Sequence, residues 1–340
     1  MKAAVFRKSK GLIIEELPIP ELDRDQVLVK TANTGFCGSD HSIIETAGAP
    51  DGIILGHEVS GTVVEMGPDV KGVTTGTRVI IRPTFCGKCP GCRINKPQLC
   101  SNNRRSIGIG DLPGGFAEYI KVFPQMLIPV PDKVDSKNAA LAEVYAVSLH
   151  ALKLSGKKGG SVLVIGGGTI GLSLVNLLKL HDFYPIVVSE PVMEKRKHAL
   201  EFGADLAIDP LSENLIQRAF EINKGTGFET VFECAGLRGL ISTAMDVAAQ
   251  GGTVCQLSVI YDNIEINPAI MMFKELRLLS SYGNTHEENI ECLKWMAEGR
   301  LDAKPLISDL ITLDQLPEIY RDRIHTGKAR KVLLRIGEEF

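Results

Sequence analysis

Ser161-Val-Leu-Val-Ile-Gly-Gly-Gly-Thr-Ile-Gly171 runs an apolar segment straight into a glycine cluster, and LSLVNLLKL comes next at helical spacing. The apolar segment is too short for a helix and reads as a buried strand; LSLVNLLKL reads as a helix. Gly166, Gly168 and Gly171 fit the pattern Gly-x-Gly-x-x-Gly. In such a turn the first glycine allows the sharp bend, the second lets backbone approach a pyrophosphate, and the third lets helix and strand pack closely. Thr169 and Ile170 complete the turn, and the helix N-terminus there offers free N–H groups and the positive end of its dipole to phosphates. Glu190 comes after the apolar run Ile186-Val187-Val188, nineteen residues after Gly171. A carboxylate at that distance accepts both ribose hydroxyls and repels a 2′-phosphate, so NAD is expected over NADP. Lys195 and Arg196 weigh slightly the other way. The alternative reading of Glu190 is a solvated loop acid.

Outward from this turn, IVVSE, TVFECA, TVCQL and LRLLSS are further strand candidates, and MEKRKHALEFGA is helix-like. Strands alternating with helices predict a parallel sheet with crossover helices over residues 146–285. Residues 1–145 have a different rhythm. Short runs such as AAVF, QVLVK, VSGTVVEMG, TRVIIRP and FAEYIKV are bounded by Gly and Pro, as in a compact β-rich domain. The closing stretch, 286–340, is expected to return to that first domain. The fold class is therefore α/β, with a β-rich domain (1–145 and 286–340) interrupted by a doubly wound parallel-sheet domain (146–285). A chain of 340 residues is also longer than one hydrophobic core usually serves.

The formal charge of −3 gives no basic face of the kind nucleic acid demands. The start, MKAAVFRKSK, lacks an apolar signal core, and no uninterrupted apolar run reaches the length of a membrane span. These features predict a soluble, cytoplasmic protein with reduced thiols and neither a nucleic-acid nor a membrane partner.

Four of the eight cysteines, Cys86, Cys89, Cys92 and Cys100, fall in FCGKCPGCRINKPQLC. Gly87, Pro90 and Gly91 turn the backbone tightly enough to aim three sulfurs at one point. Four thiolates close the tetrahedral shell of a zinc ion and leave no position for chemistry, which predicts a structural zinc. A disulfide pair or free thiols is the competing reading; clustering without a secretory signal argues against it.

A second constellation lies in Gly35-Phe36-Cys37-Gly38-Ser39-Asp40 and Gly56-His57-Glu58. A lone Cys is more often a small buried hydrophobe, and a lone His a packing residue. Together with Glu58 and an acid elsewhere, they supply the S, N and O donors of a catalytic zinc that keeps one position open.

With GHEVSGTVVEMG, the four-Cys lobe, GGFAEY, the AEV segment near residue 143, VLVIGGGTIG and the closing GKARKVLL, the chain resembles a zinc-containing medium-chain alcohol dehydrogenase. It is most similar to the branch of sorbitol, threonine and butanediol dehydrogenases, over essentially its whole length. The resemblance implies a GroES-like catalytic domain, a Rossmann cofactor domain, two zinc ions per chain and NAD. It also implies a homodimer or homotetramer formed through the region of LRLLSSYG. Cys37 and His57 match ligands of the catalytic zinc, and either Glu58 or Glu143 is the third. Ser39 matches the hydroxyl that bonds the substrate alcohol, and Asp40 the acid that orients the ligand His. Relatives often carry a His five residues after the ligand Cys; here Ser42 stands there and His41 comes one residue early. A proton relay then runs through His41, or through Ser39 and water. Cys234 and Ser258 fall near where relatives pass the nicotinamide, and Lys331 resembles a basic residue that approaches the cofactor phosphates.

The implied reaction is reversible oxidation of a secondary alcohol, in a polyol or similar small hydroxylated substrate, to the ketone with hydride transfer to NAD. A sugar acid (aldonate) is the near alternative. The segment from Ile43 to Leu55 contains no Lys or Arg, which disfavours a phosphorylated substrate. A silent binding protein on the same fold would lose its metal ligands first, and Cys37, His57 and Glu143 are all present.

Overall fold

Short strands fill most of the first third of the chain: β1 (Lys2–Arg7), β2 (Gly11–Glu16), β3 (Val27–Gly35), β4 (Ile53–Ile54), β5 (Glu58–Met66), β6 (Arg78–Ile81), β7 (Tyr119–Val122) and β8 (Leu127–Pro129). The computed structural model describes residues 1–46, 48, 50–82, 86–101, 106–110 and 112–340. Two helices here bear on function: α1 (Gly38–Thr46) directly after β3, and α2 (Pro90–Arg93). A longer helix, α3 (Ser136–Ser155), comes after β8. The chain divides inside it, into one unit of Met1–Glu143 with Thr285–Phe340 and a second of Val144–Asn284.

In the first unit β1 is the centre of a small antiparallel sheet, β2-β1-β4. β3 pairs antiparallel with β5, from Val27 opposite Met66 to Gly35 opposite Glu58. Inward side chains of this sheet, including Val27, Val29, Val59, Val63, Ile81 and Ile120, form one apolar cluster. Phe6, Phe36, Leu55, Phe116 and Tyr320 belong to another.

The second unit holds β9 (Val162–Ile165), β10 (Ile186–Ser189), β11 (Leu206–Ile208), β12 (Phe228–Glu233), β13 (Ala248–Gln256) and β14 (Arg277–Ser280), all parallel, in the order β11-β10-β9-β12-β13-β14. The order reverses between β9 and β12, which in open α/β sheets opens a crevice at the carboxyl ends of those strands. β9, β10 and most of β12 are buried, as strands covered on both faces must be. α4 (Thr169–Leu180) comes after β9 and α5 (Met193–Glu201) after β10.

The chain then rejoins the first unit. β15 (Asp309–Thr312) runs parallel to β16 (Val332–Arg335), and β16 lies antiparallel to β3, with Leu333 opposite Gly35. The larger sheet thus reads β15-β16-β3-β5-β6-β8, with β7 also on β3. Among the described residues no helix is long and apolar enough to cross a membrane.

Candidate active site

The end of β3 faces the start of β5, and both ligand segments hang from that junction. Cys37 lies just beyond Gly35 and His57 just before Glu58, while Gly35 and Glu58 are register partners. Cys37 Sγ, one ring nitrogen of His57 and one carboxylate oxygen of Glu58 lie within 4.8 Å of one another. Asp40, fully buried at the start of α1, ties the two segments together. Its Oδ2 accepts the Cys37 N–H at 2.9 Å, and its Oδ1 accepts the Gly56 N–H at 3.2 Å. His57 Nδ1 lies 3.5 Å from the same Oδ1. Burial by itself would lower the His57 pKa, but the Asp40 carboxylate and Cys37 outweigh it and raise it well above the ordinary value.

Two glycines permit this geometry. Gly56 has φ of +93°, and a Cβ there would lie 2.6 Å from the Phe116 ring. A Cβ on Gly35 would lie 1.8 Å from Glu58 Oε2. Three polar atoms at this junction, Ser39 Oγ, His57 Nδ1 and Glu58 Oε2, are buried without a hydrogen-bond partner. Each such atom costs on the order of 1–3 kcal/mol. A cation taken up by the S, N and O donors would satisfy Glu58 Oε2, and this donor set fits zinc. Ser39 Oγ would stay unpartnered beside such a cation, available to a bound ligand.

The structure corrects the expectation for Lys331. Its ammonium does not reach out to a phosphate: it is 3% exposed, donates to Glu58 Oε1 at 2.5 Å and to the Phe36 carbonyl at 2.9 Å. The β16–β3 pairing places it there, and a buried ammonium requires such partners. Burial opposes its charge, but Glu58, Cys37 and Glu143 together raise its pKa. Glu143, half-buried on α3, acts on Lys331 by charge and is not in the 4.8 Å group. His41 sits one turn along α1 from Cys37, with Nδ1 3.1 Å from the Tyr320 hydroxyl.

Cys86, Cys89, Cys92 and Cys100 form a second group of donors within the same limit. The sulfurs of Cys86 and Cys92 are 3.9 Å apart, and those of Cys89 and Cys92 are 3.5 Å apart. Four thiolates each about 2.3 Å from one zinc are about 3.8 Å apart. Gly87 has φ of +72°, and a Cβ on Gly91 would strike the Leu99 carbonyl at 2.5 Å. Backbone N–H groups of Cys92 and Ser101 push the Cys89 thiol down to about 5, whereas burial pushes Cys92 up to about 12. Four thiolates this close would repel one another, and a divalent cation held by them would offset that charge.

In the second unit, the β9–α4 turn carries the glycine pattern. Gly166 has φ of +106°, and a Cβ on Gly171 would lie 1.9 Å from the Gly166 carbonyl oxygen. Gly168 caps α4 without a side-chain bond, with backbone in the extended region, so the helix begins directly at the glycine turn. A cleft of about 750 Å³ opens beside the turn, lined among others by Gly166, Gly168, Glu190, Lys195 and Cys234. Glu190 is 5% exposed; its Oε2 accepts the Gly167 N–H at 2.8 Å and its Oε1 the Val192 N–H at 3.0 Å. It is a fixed buried carboxylate, not a solvated loop acid. Arg196 donates to the carbonyls of Glu190 and Pro191 and pairs with Asp209, whereas Lys195 reaches the cleft wall. Burial raises the Cys234 pKa and keeps it a neutral thiol. Ser258 Oγ is held by Glu233 Oε2.

Comparison with known proteins identifies the family. Residues 23–132 match the family model "Alcohol dehydrogenase GroES-like domain", and residues 169–298 match "Zinc-binding dehydrogenase". The chain is 32% identical to sorbitol dehydrogenase of Halalkalibacterium halodurans, across 94% of each sequence. It is 29% identical to L-threonine 3-dehydrogenase of Francisella tularensis subsp. mediasiatica, across 98% of this chain and 99% of the relative. A solved chain from Sinorhizobium meliloti 1021, bound to NADP, superposes with a TM-score of 0.91 at 32% identity, across 98% of both chains. The chain belongs to the zinc-containing medium-chain alcohol dehydrogenases.

Two features of this dehydrogenase escape a reading of the sequence. One is the Lys331–Glu58 pair, separated by 273 positions. The other is Glu233, the fully buried last residue of β12, whose Oε1 accepts the N–H groups of Ala235 and Gly236 at 2.8 Å each. It shapes the loop carrying Cys234 at the cleft. An acid ending an apolar strand run is visible in TVFECA, and that position is the available signal.

Proposed function

We propose that this dehydrogenase oxidises the secondary alcohol of a polyol or similar small hydroxylated substrate to the ketone, reversibly, with NAD as hydride acceptor and two zinc ions per chain. The observation that carries the reading is the grouping of Cys37, His57 and Glu58 around buried, unpartnered oxygens at Ser39 and Glu58. When bound, zinc supplies Lewis acidity that lets an alcohol ionise near neutral pH, and the nicotinamide takes the hydride. Ser39 Oγ bonds the substrate hydroxyl, takes its proton and gives up its own toward solvent, through water or through His41. Asp40 fixes the His57 ring, a support that metal-bound imidazoles generally have. Glu58 or Glu143 completes the ligand set, and Lys331 holds one Glu58 oxygen in place. The sorbitol dehydrogenase relative supports a polyol.

A panel of sorbitol, butanediol, L-threonine and an aldonate, followed by cofactor absorbance alongside metal analysis, tests this directly. Two zinc atoms per chain and polyol-dependent reduction of NAD are expected. A two-zinc protein that turns over none of these alcohols would sink the reading.

Preference for NAD rests on Glu190, whose buried carboxylate lines the cleft beside the glycine turn. Glu190→Ala removes charge-assisted bonds worth about 1.5–3 kcal/mol, so the ratio of kcat/KM for NAD over NADP should fall by roughly ten- to a hundredfold. An unchanged ratio would remove Glu190 as the ribose partner.

A homodimer or homotetramer is consistent with an edge strand, β14, and with the exposed apolar side chains of Tyr261, Met272, Phe273 and Tyr282 in the same unit. A reducing, cytoplasmic setting fits eight cysteines of which none is joined in a disulfide.

A further inference from the structure

His41 and Glu45 lie four residues apart on α1, which puts them on one helical face. The C-terminal segment brings His325 against them. One ring nitrogen from each imidazole and one Glu45 oxygen lie within 4.8 Å of one another. We propose that His41, Glu45 and His325 form a third metal site, at the surface, which binds a borderline divalent ion such as Zn²⁺ reversibly.

The hydrogen bonds prepare the donors. Tyr320, 8% exposed, donates its hydroxyl proton to Glu45 Oε1 at 2.8 Å. Toward His41 the same hydroxyl must therefore accept, so His41 Nδ1 carries the proton at 3.1 Å and Nε2 keeps its lone pair. Such pinning of one ring nitrogen is what sets the tautomer of metal-binding imidazoles. His325 Nδ1 lies 3.2 Å from Glu45 Oε1 and shares with it a place that a cation would take. The Tyr320 hydroxyl, with the two imidazoles behind it, outweighs burial and holds the Glu45 carboxyl below its usual range, so the acid is anionic.

Donors about 2.0–2.2 Å from one zinc are roughly 3.3–3.6 Å apart; His325 Nδ1 and Glu45 Oε1 are already 3.2 Å apart, and the whole group lies within 4.8 Å. The side chains of Glu45 and His325 are 44% and 52% exposed, so an ion reaches them from solvent, while His41 is braced by Tyr320. Two imidazoles and one carboxylate suit Zn²⁺, Ni²⁺ or Cu²⁺; Mg²⁺ and Ca²⁺ prefer oxygen shells. Three protein donors leave positions for water, which makes the ion exchangeable. None of the three donors belongs to the Cys37–His57–Glu58 group, so occupancy does not depend on the proposed reaction.

The test uses the protein as isolated, cleared of loosely held metal on a chelating resin and then titrated with Zn²⁺ against a chromophoric chelator. One further equivalent is expected beyond the metal retained, with none taken up in a parallel Mg²⁺ titration. His325→Ala and Glu45→Gln should each weaken that equivalent by about tenfold or more while thermal unfolding stays at the wild-type temperature. Absence of the extra equivalent in the wild-type protein overturns the proposal. So does an extra equivalent that survives either substitution.

Discussion

Cys37→Ser should lower alcohol oxidation by about a thousandfold or more, because metal polarisation supplies several kcal/mol and each 1.36 kcal/mol is tenfold in rate. The serine hydroxyl does not ionise as a thiol does, so the set loses its soft anionic donor while His57 and Glu58 remain. The fold should survive. Asp40 holds residue 37 through its backbone N–H, which the substitution keeps, and the Cys37 side chain is only half-buried. Metal analysis should fall from two zinc atoms to one, the remaining ion being held by Cys86, Cys89, Cys92 and Cys100. Retained turnover together with the loss of one zinc would overturn the catalytic assignment. Loss of both ions would instead mean that the two sites fold together.

Lys331→Met should be the most destabilising single change near the site. The ammonium and the Glu58 carboxylate are 3% and 1% exposed and 2.5 Å apart. Removing one partner of a buried pair strands the other charge, at about 3–5 kcal/mol. Denaturant unfolding of metal-free protein should show that loss in full. Zinc should restore part of it, because the freed carboxylate then turns both oxygens to the metal. Glu58→Gln in the same chain should recover stability, and the double-mutant cycle isolates the pair. A loss below about 1 kcal/mol, with no coupling in the cycle, would show that Glu58 is held by other groups.

Much of the site is legible in the sequence because its parts are local there. The four-Cys lobe closes within one short loop, and the glycine turn lies between adjacent elements, where spacing fixes geometry. Glu190 is readable for the same reason: β10 runs parallel to β9, so its end must lie beside the turn after β9. Cys37 and His57 are readable as donors, but the register of β3 against β5 is what sets them together. Lys331 reads as an exposed cofactor-binding residue in sequence, whereas the structure buries its ammonium on Glu58; a basic residue before a strand looks exposed until its neighbour is known. His325 offers no pattern at all; it gains meaning only beside α1.

Composition and spacing alone determined the chemistry on offer: thiolates, an imidazole, carboxylates and a phosphate-binding turn on two kinds of domain. Tertiary structure decided which charges meet. Antiparallel pairing of β16 with β3 delivers the Lys331 ammonium to Glu58, and the C-terminal segment carries His325 to His41 and Glu45. Contacts between residues far apart in the chain depend on strand register and packing, and those arise from burying the whole apolar core rather than from any local run of residues.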